Sequence, residues 1–291
     1  MNHRLHLPVL LASTLLAVAT SALAQPVIPD AHRVNGWAIG CQAYSFNRFT
    51  AFEAIEKTAQ AGGKVIEFYP GQTLSKDDPG LKVDHASPDV ATVISKLQAK
   101  LQKHGIKAVN YGVVGIPKDE AGARKVFEFA RKMNLIAVTT ESADAINTLE
   151  KLAREYDIGV AFHNHPGDFS RPDYKVWSPH YIAGLVEGRD PRLGACADTG
   201  HWTRSGIKPV EALRVLKGRV ISAHLKDLNE FGVRNAHDVP YGQGKSEVKA
   251  VLDELKAQGF KGNLSIEYEH NWDNSLPEIT QCIDFVKAHG K

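Results

Sequence analysis

Eight short apolar runs, separated by stretches with helical periodicity, constrain this chain more than any other feature. The runs are WAIGCQAY (37–44), KVIEFY (64–69), KAVNYGVV (107–114), LIAVTTE (135–141), GVAFHNH (159–165), LGACADTG (193–200), VISAHLKD (220–227) and NLSIEYEH (263–270). Intervening segments such as PDVATVISKLQAKLQKHG and SEVKAVLDELKAQG carry apolar residues at helical spacing and stop at a glycine, as helix C-termini favour. Strands alternating with helices build parallel βαβ units. Eight such units predict an α/β fold, a single closed (β/α)8 barrel. An open doubly wound sheet is the rival. No G-x-G-x-x-G follows the first strand, so a dinucleotide-binding sheet loses support. Two long loops, 166–178 and 228–245, leave the face on which the strands end.

The start of the chain reads differently. Arg4 precedes the apolar run LPVLLASTLLAVATSA, and Ala22-Leu23-Ala24 forms a small-x-small cleavage site before Gln25. Residues 1–24 are therefore expected to be a secretory signal peptide, and 25–291 the barrel domain. An uncleaved anchor is the alternative, because the run approaches spanning length. Cleavage implies an exported, periplasmic protein with no further membrane attachment. Basic and acidic residues nearly balance, at 35 and 33, which excludes a strongly electrostatic nucleic-acid binder. Three cysteines, Cys41, Cys196 and Cys282, are too few for a disulfide scaffold. Packing is the expected role of Cys41 and Cys196, with one disulfide left open.

Four of the runs end on a residue that can bind a metal: Glu141, Asp198, His224 and Glu267. In a parallel barrel the strand C-termini converge on one face, where active sites form. Each residue has a bland reading alone. Glu141 could stabilise a helix N-terminus, Asp198 could be a paired buried acid, His224 a core histidine and Glu267 a salt-bridge partner. Brought together without a cation, three carboxylates would repel and raise one another's pKa values. One divalent metal resolves that conflict. Hard oxygen donors with one imidazole favour Mn2+ first, then Mg2+, with Co2+, Fe2+ and Zn2+ open. A second ring of polar groups is expected to contact substrate: His163 and His165 of HNH, His201 and Trp202 after Asp198, and Lys226 two residues past His224. Tyr44 and Phe46, with Trp202 and Phe231, are candidates for an aromatic wall.

At these residues the chain resembles the xylose isomerase-like barrel superfamily, and more narrowly its sugar phosphate isomerase/epimerase group, which includes ketose 3-epimerases and inosose dehydratases. The resemblance spans essentially all of 25–291. ADTGHW and AHLKD carry it most specifically, supported by IGCQAYSF, VIEFY, HNH and IEYE. It implies a Glu, Asp, His, Glu metal quartet on strands four, six, seven and eight, which maps onto Glu141, Asp198, His224 and Glu267. It implies substrate contacts at His165 and His201, proton transfer by Glu141 and Glu267, and homo-oligomers as an open matter.

The chemistry follows from the residue types. A metal chelated by a carbonyl and its neighbouring hydroxyl stabilises enediolate oxygens. One carboxylate removes the α-proton and another returns it, giving epimerisation or isomerisation. A leaving group β to the carbonyl would instead be expelled, giving a lyase or dehydratase. Export argues for an unphosphorylated keto-sugar or a 3-keto-glycoside as the small-molecule partner. The loop VPYGQGKSE (239–247) offers Gly242, Gly244 and Lys245 as a phosphate cradle, but a bare turn is the preferred reading. Two rivals come from other classes. An endonuclease-like DNA repair enzyme is disfavoured by the balanced charge and the leader. A non-catalytic sugar-binding protein would need no carboxylates placed for proton transfer.

Overall fold

A computed structural model describes residues 27–168 and 170–290. The expected signal peptide, residues 1–24, lies outside the described residues. The eight expected strands form: β1 (Ala38–Gln42), β2 (Val65–Phe68), β3 (Lys107–Tyr111), β4 (Ala137–Thr140), β5 (Gly159–His163), β6 (Leu193–Asp198), β7 (Val220–Leu225) and β8 (Asn263–Ile266). They close in chain order into one barrel. β1 and β8 seal it in parallel, from Ala38 opposite Asn263 to Cys41 opposite Ile266. Closure excludes the open doubly wound sheet.

The outer ring consists of α1 (Ala51–Gln60), α2 (Val90–His104), α3 (Glu120–Lys132), α4 (Ile146–Tyr156), α5 (Pro179–Val186), α6 (Thr199–Arg204), α7 (Pro209–Val215), α8 (Val248–Ala257) and α9 (Leu276–His289). Local chemistry sets the ends of these helices. Thr50 and Glu53 form a reciprocal capping box on α1, with Glu53 N–H donating to Thr50 Oγ1 at 3.3 Å and Thr50 N–H to Glu53 Oε2 at 3.0 Å. α2 buries Val93, Ile94, Leu97 and Leu101 on one face and stops at Gly105, whose φ of 64° suits the left-handed cap. α5, α6 and α7 were not among the helices expected from periodicity. At 8, 6 and 7 residues they are too short to display it.

The main apolar cluster includes strand residues such as Ile39, Cys41, Ile66 and Phe68 and the buried faces of the helices. Gly40 is needed for closure, since a Cβ there would lie 1.6 Å from the Val65 carbonyl oxygen. Two smaller clusters hold Ile28, Ala38, Val65 and Val109, and Ala137, Ala161, Cys196 and Ile221. Ile28 and Val27 border a cavity of about 80 Å³ at the N-terminal strand ends, beside Ile136, Gly159 and Gly262. All three cysteines are buried and free, so the disulfide left open by the sequence does not form. Among the described residues, no helix is long and apolar enough to cross a membrane.

Candidate active site and metal centre

The strand C-termini bring a polar, largely buried group of side chains together. His163 ends β5, Asp198 ends β6, His224 lies near the end of β7 and Glu267 follows β8. One ligand atom from each of these four lies within 4.8 Å of the others. Glu141, one residue past β4, belongs to a neighbouring set with His163 and His165. Three of the expected quartet thus share the compact set with His163, and the fourth, Glu141, shares His163 with them through the neighbouring set. Glu141 adjoins through His163, whose Nδ1 is 3.6 Å from Glu141 Oε1 and whose Nε2 is 3.5 Å from Asp198 Oδ2.

Each of these side chains is held by its own local structure. Asp198 caps α6, with His201 N–H donating to Oδ1 at 2.7 Å. Asn164 brackets the Asp198 backbone, accepting from its N–H and donating to its carbonyl, both at 3.0 Å. Lys226 is fully buried and donates to Asp198 Oδ2 at 2.8 Å. Its ammonium also lies 2.7 Å from Glu267 Oε2 and 3.3 Å from Glu269 Oε2. Gly200 of ADTGHW makes room for it, because a Cβ there would come within 2.5 Å of the Lys226 side chain. His224 lies between two carboxylates, Nδ1 at 3.0 Å from Glu267 Oε2 and Nε2 at 2.7 Å from Glu67 Oε2. Glu141 Oε1 accepts from Tyr174 Oη at 2.8 Å and lies 2.5 Å from His165 Nδ1.

The electrostatics run opposite to the expected repulsion. Burial opposes ionisation of Glu267, but Lys226 and His224 outweigh it and hold its carboxyl well below the usual range. Burial likewise opposes the charge on Asp198, and His201, Lys226 and His163 outweigh it. Glu141 is held low against burial by His163 and His165. His163 is raised to about 9, the pull of Asp198 and Glu141 exceeding the effect of burial. His201 is pushed well down, first by burial and then, against the pull of Asp198, by the cation of Lys226. The like-charge argument failed because the chain supplies its own cations, Lys226 foremost.

His163 tests whether a metal fits. It is 1% exposed, and neither ring nitrogen has a hydrogen-bond partner. An orphaned imidazole beside Asp198, His224 and Glu267 is unusual unless something else engages it. Two imidazoles with two carboxylates suit a divalent cation. The residues present fit such an ion.

Above this centre lies a cavity of about 310 Å³, bordered by Gln42, Tyr44, Tyr69, His165, Glu267 and Glu269. Tyr44 is 40% exposed and packs edge-on against Tyr69 and Trp272, with ring centroids 5.2 and 5.9 Å away. Phe46 and Trp202 do not serve as the expected wall. Both are buried in the main apolar cluster, where an aromatic ring removes the most surface from water. Tyr69 borders the cavity beside Tyr44, and Trp272 packs behind Tyr44. Phe231 is exposed on the loop after β7. Lys226, expected to contact substrate, spends its ammonium on three carboxylates. His201 lies beside it, with Nδ1 accepting from Arg204 Nη1 at 3.0 Å. The 239–247 loop is a turn and no phosphate cradle: the backbone N–H groups of Gly242, Gly244 and Ser246 donate to the Asp227 carboxylate at 2.9, 3.0 and 2.9 Å.

Sequence reasoning missed Glu67. It is fully buried on β2 and contacts His224. The signal was present in VIEFY, where Val65 and Glu67 share a face and an acid interrupts an apolar run.

Comparison with known proteins adds a second line of observation. Residues 138–289 match the family described as xylose isomerase-like TIM barrel. An inosose dehydratase of Clostridium tetani is 32% identical over 145 residues, covering 44% of this chain and 46% of that protein. The chain thus spans about half the length of the curated relatives it matches. An uncharacterised protein from Parabacteroides distasonis is 32% identical, with a TM-score of 0.69 over 87% of this chain and 99% of that one. A D-tagatose 3-epimerase-like protein shares the fold at 17% identity, with a TM-score of 0.64 over 86% of this chain and 96% of that one.

Proposed function

The chain belongs to the xylose isomerase-like TIM barrel family, and from that premise we propose that it is an exported, divalent-metal-dependent sugar isomerase or epimerase. Its substrate is an unphosphorylated keto-sugar, and its first chemical step removes the proton α to the carbonyl. The observation that carries this reading is the pair Glu141 and Glu267. Both carboxylates lie at strand C-terminal ends on one face of the barrel and adjoin the same buried imidazole, His163.

His163, Asp198, His224 and Glu267 would hold the cation, with Glu141 beside them. Bound there, a divalent metal, Mn2+ by preference, would polarise the carbonyl and stabilise the negative charge that develops on the substrate oxygens. The chain's residues do the rest. Glu267 borders the cavity and is ionised, so it can accept a proton from carbon. Lys226 and His224 keep its Oε2 in place. Glu141, which adjoins from the end of β4, would return the proton, with His165 and Tyr174 beside its Oε1. His165 is about half exposed and borders the cavity, so it can orient a substrate hydroxyl. His201, kept neutral, offers a second polar contact. Tyr44 and Tyr69 provide an apolar edge for the sugar ring.

A lyase reading is favoured by one specific observation, the likeness to an inosose dehydratase. The same proton removal expels a hydroxyl or glycosidic oxygen when one lies β to the carbonyl. Product analysis separates the two. Metal-loaded protein lacking residues 1–24 is incubated with free ketoses, inososes and 3-keto-glucosides, and the products are identified. A new epimer or ketose–aldose isomer supports the isomerase reading, and loss of water or aglycone supports the lyase. Sugars bound but returned unchanged would contradict both and favour a binding protein. Detection in the cytoplasm, with residues 1–24 retained, would contradict export.

A further inference from the structure

The chemistry above leaves Glu67 unused, although this acid is fully buried and is reached by side chains from four other strands. Asn110 Nδ2 on β3 and Asn263 Nδ2 on β8 donate to Oε1, at 3.0 and 2.5 Å. Gln42 Nε2 on β1 donates to Oε2 at 3.4 Å, and His224 Nε2 on β7 lies 2.7 Å from the same oxygen. Three amide groups thus present N–H to Glu67. At Oε2 the partner that completes this set is His224 Nε2, within hydrogen-bond distance of the carboxyl oxygen. The other ring nitrogen, Nδ1, then points toward Glu267, 3.0 Å from its Oε2.

We propose that Glu67 is a positioning residue for His224: its carboxylate holds the Nε2–H and so presents Nδ1 as the lone-pair donor for a divalent cation shared with His163, Asp198 and Glu267. This inference rests on the metal reading of the proposed function. A carboxylate behind a ligating imidazole fixes the ring, selects the tautomer and raises the basicity of the donor nitrogen. Gln42 extends the arrangement to the cavity. It borders that space, and its Nε2 also donates to the Gly112 carbonyl at 3.0 Å.

The test is calorimetric titration of Mn2+ into metal-free protein, comparing wild type with Glu67→Gln. Long-range proton–nitrogen spectra of the histidine rings are recorded alongside, with Zn2+ as a diamagnetic probe. Glu67→Gln is expected to bind about 10- to 100-fold more weakly with an unchanged circular dichroism spectrum. In Zn2+-loaded wild type, His224 should carry its proton on Nε2 and show the metal-induced shift at Nδ1. Equal affinity in the two proteins would overturn the role of Glu67 while leaving the metal centre intact. A wild type that binds no divalent cation would contradict the metal-dependent function and this inference with it. If Glu67→Gln does not fold, the wild-type spectra decide. In the Zn2+-loaded protein, a proton on Nδ1 or a metal-induced shift at Nε2 overturns the proposal.

Discussion

The two ends of the barrel are built from the same strands and obey opposite rules. Toward the N-terminal ends, β1, β2, β4 and β7 contribute Ala38, Val65, Ala137 and Ile221. Toward the C-terminal ends, the same four strands contribute Gln42, Glu67, Thr140 and His224, all buried. On each of them the change takes four residues or fewer. The apolar end stabilises the fold by removing surface from water, about 25 cal/mol per Å². The polar end withholds charges from water, which is costly unless each is paired. The difference teaches that stability and chemistry are divided along the barrel axis, as the fold permits. Substitutions should therefore separate by end.

The largest expected effect is at the polar end. Glu267→Gln should lower kcat by about 10³-fold, the scale of a lost general base, while the melting temperature changes little. Steady-state kinetics and thermal melts check both halves, and a collapse in stability with normal kcat would break the division. Lys226→Met tests how the polar end tolerates its own charge. Three carboxylates would lose a buried cation, at a cost of about 3 kcal/mol in unfolding free energy. Added Mn2+ should restore more stability to the variant than to wild type, through binding to the folded state alone. Denaturant titration with and without the ion measures this.

At the apolar end, Ile28→Ala should cost about 3 kcal/mol of stability and leave kcat and KM unchanged. A matching loss of kcat would show that the two ends are coupled. The smallest effect concerns pH. Burial pushes Asp238 up to about 8, against the pull of Lys226 and Arg204. The folded chain then keeps a proton that the unfolded chain releases near 3.8. That contribution is fully present below the unfolded value and is lost as pH rises through about 8. Asp238→Asn should flatten the stability profile across this window and exceed wild type on its alkaline side. An unchanged slope would contradict the buried, protonated carboxyl.

The barrel was readable because buried parallel strands are apolar runs of the right length, and eight of them leave little choice of topology. α5 to α7 were not readable, since fewer than three turns carry no period. Asp198, His224 and Glu267 were legible as candidates because each stands at the end of an apolar run, and the structure brings the three together. That His163 joins the compact set while Glu141 adjoins it was not legible. Glu141 lies just past its strand, and sequence does not say how far such a side chain leans over the mouth. Lys226 was placed on the strand-end face, but its pairing with Asp198 was not legible, because that reach depends on Gly200 leaving room for the side chain. Phe46 and Trp202 were misplaced for a simpler reason: an aromatic side chain near a strand end gives the same signal whether it turns to the cavity or to the core.

The central claim is that the polar end moves a proton on carbon. Solvent deuterium incorporation tests it most directly. Metal-loaded protein is incubated in D2O with a keto-sugar that it binds, and the recovered sugar is weighed by mass spectrometry beside a Glu267→Gln control. The account predicts one deuterium at the carbon next to the carbonyl with wild type and almost none with the variant. A bound sugar that takes up no deuterium from wild type, or takes it up equally from both proteins, would contradict it.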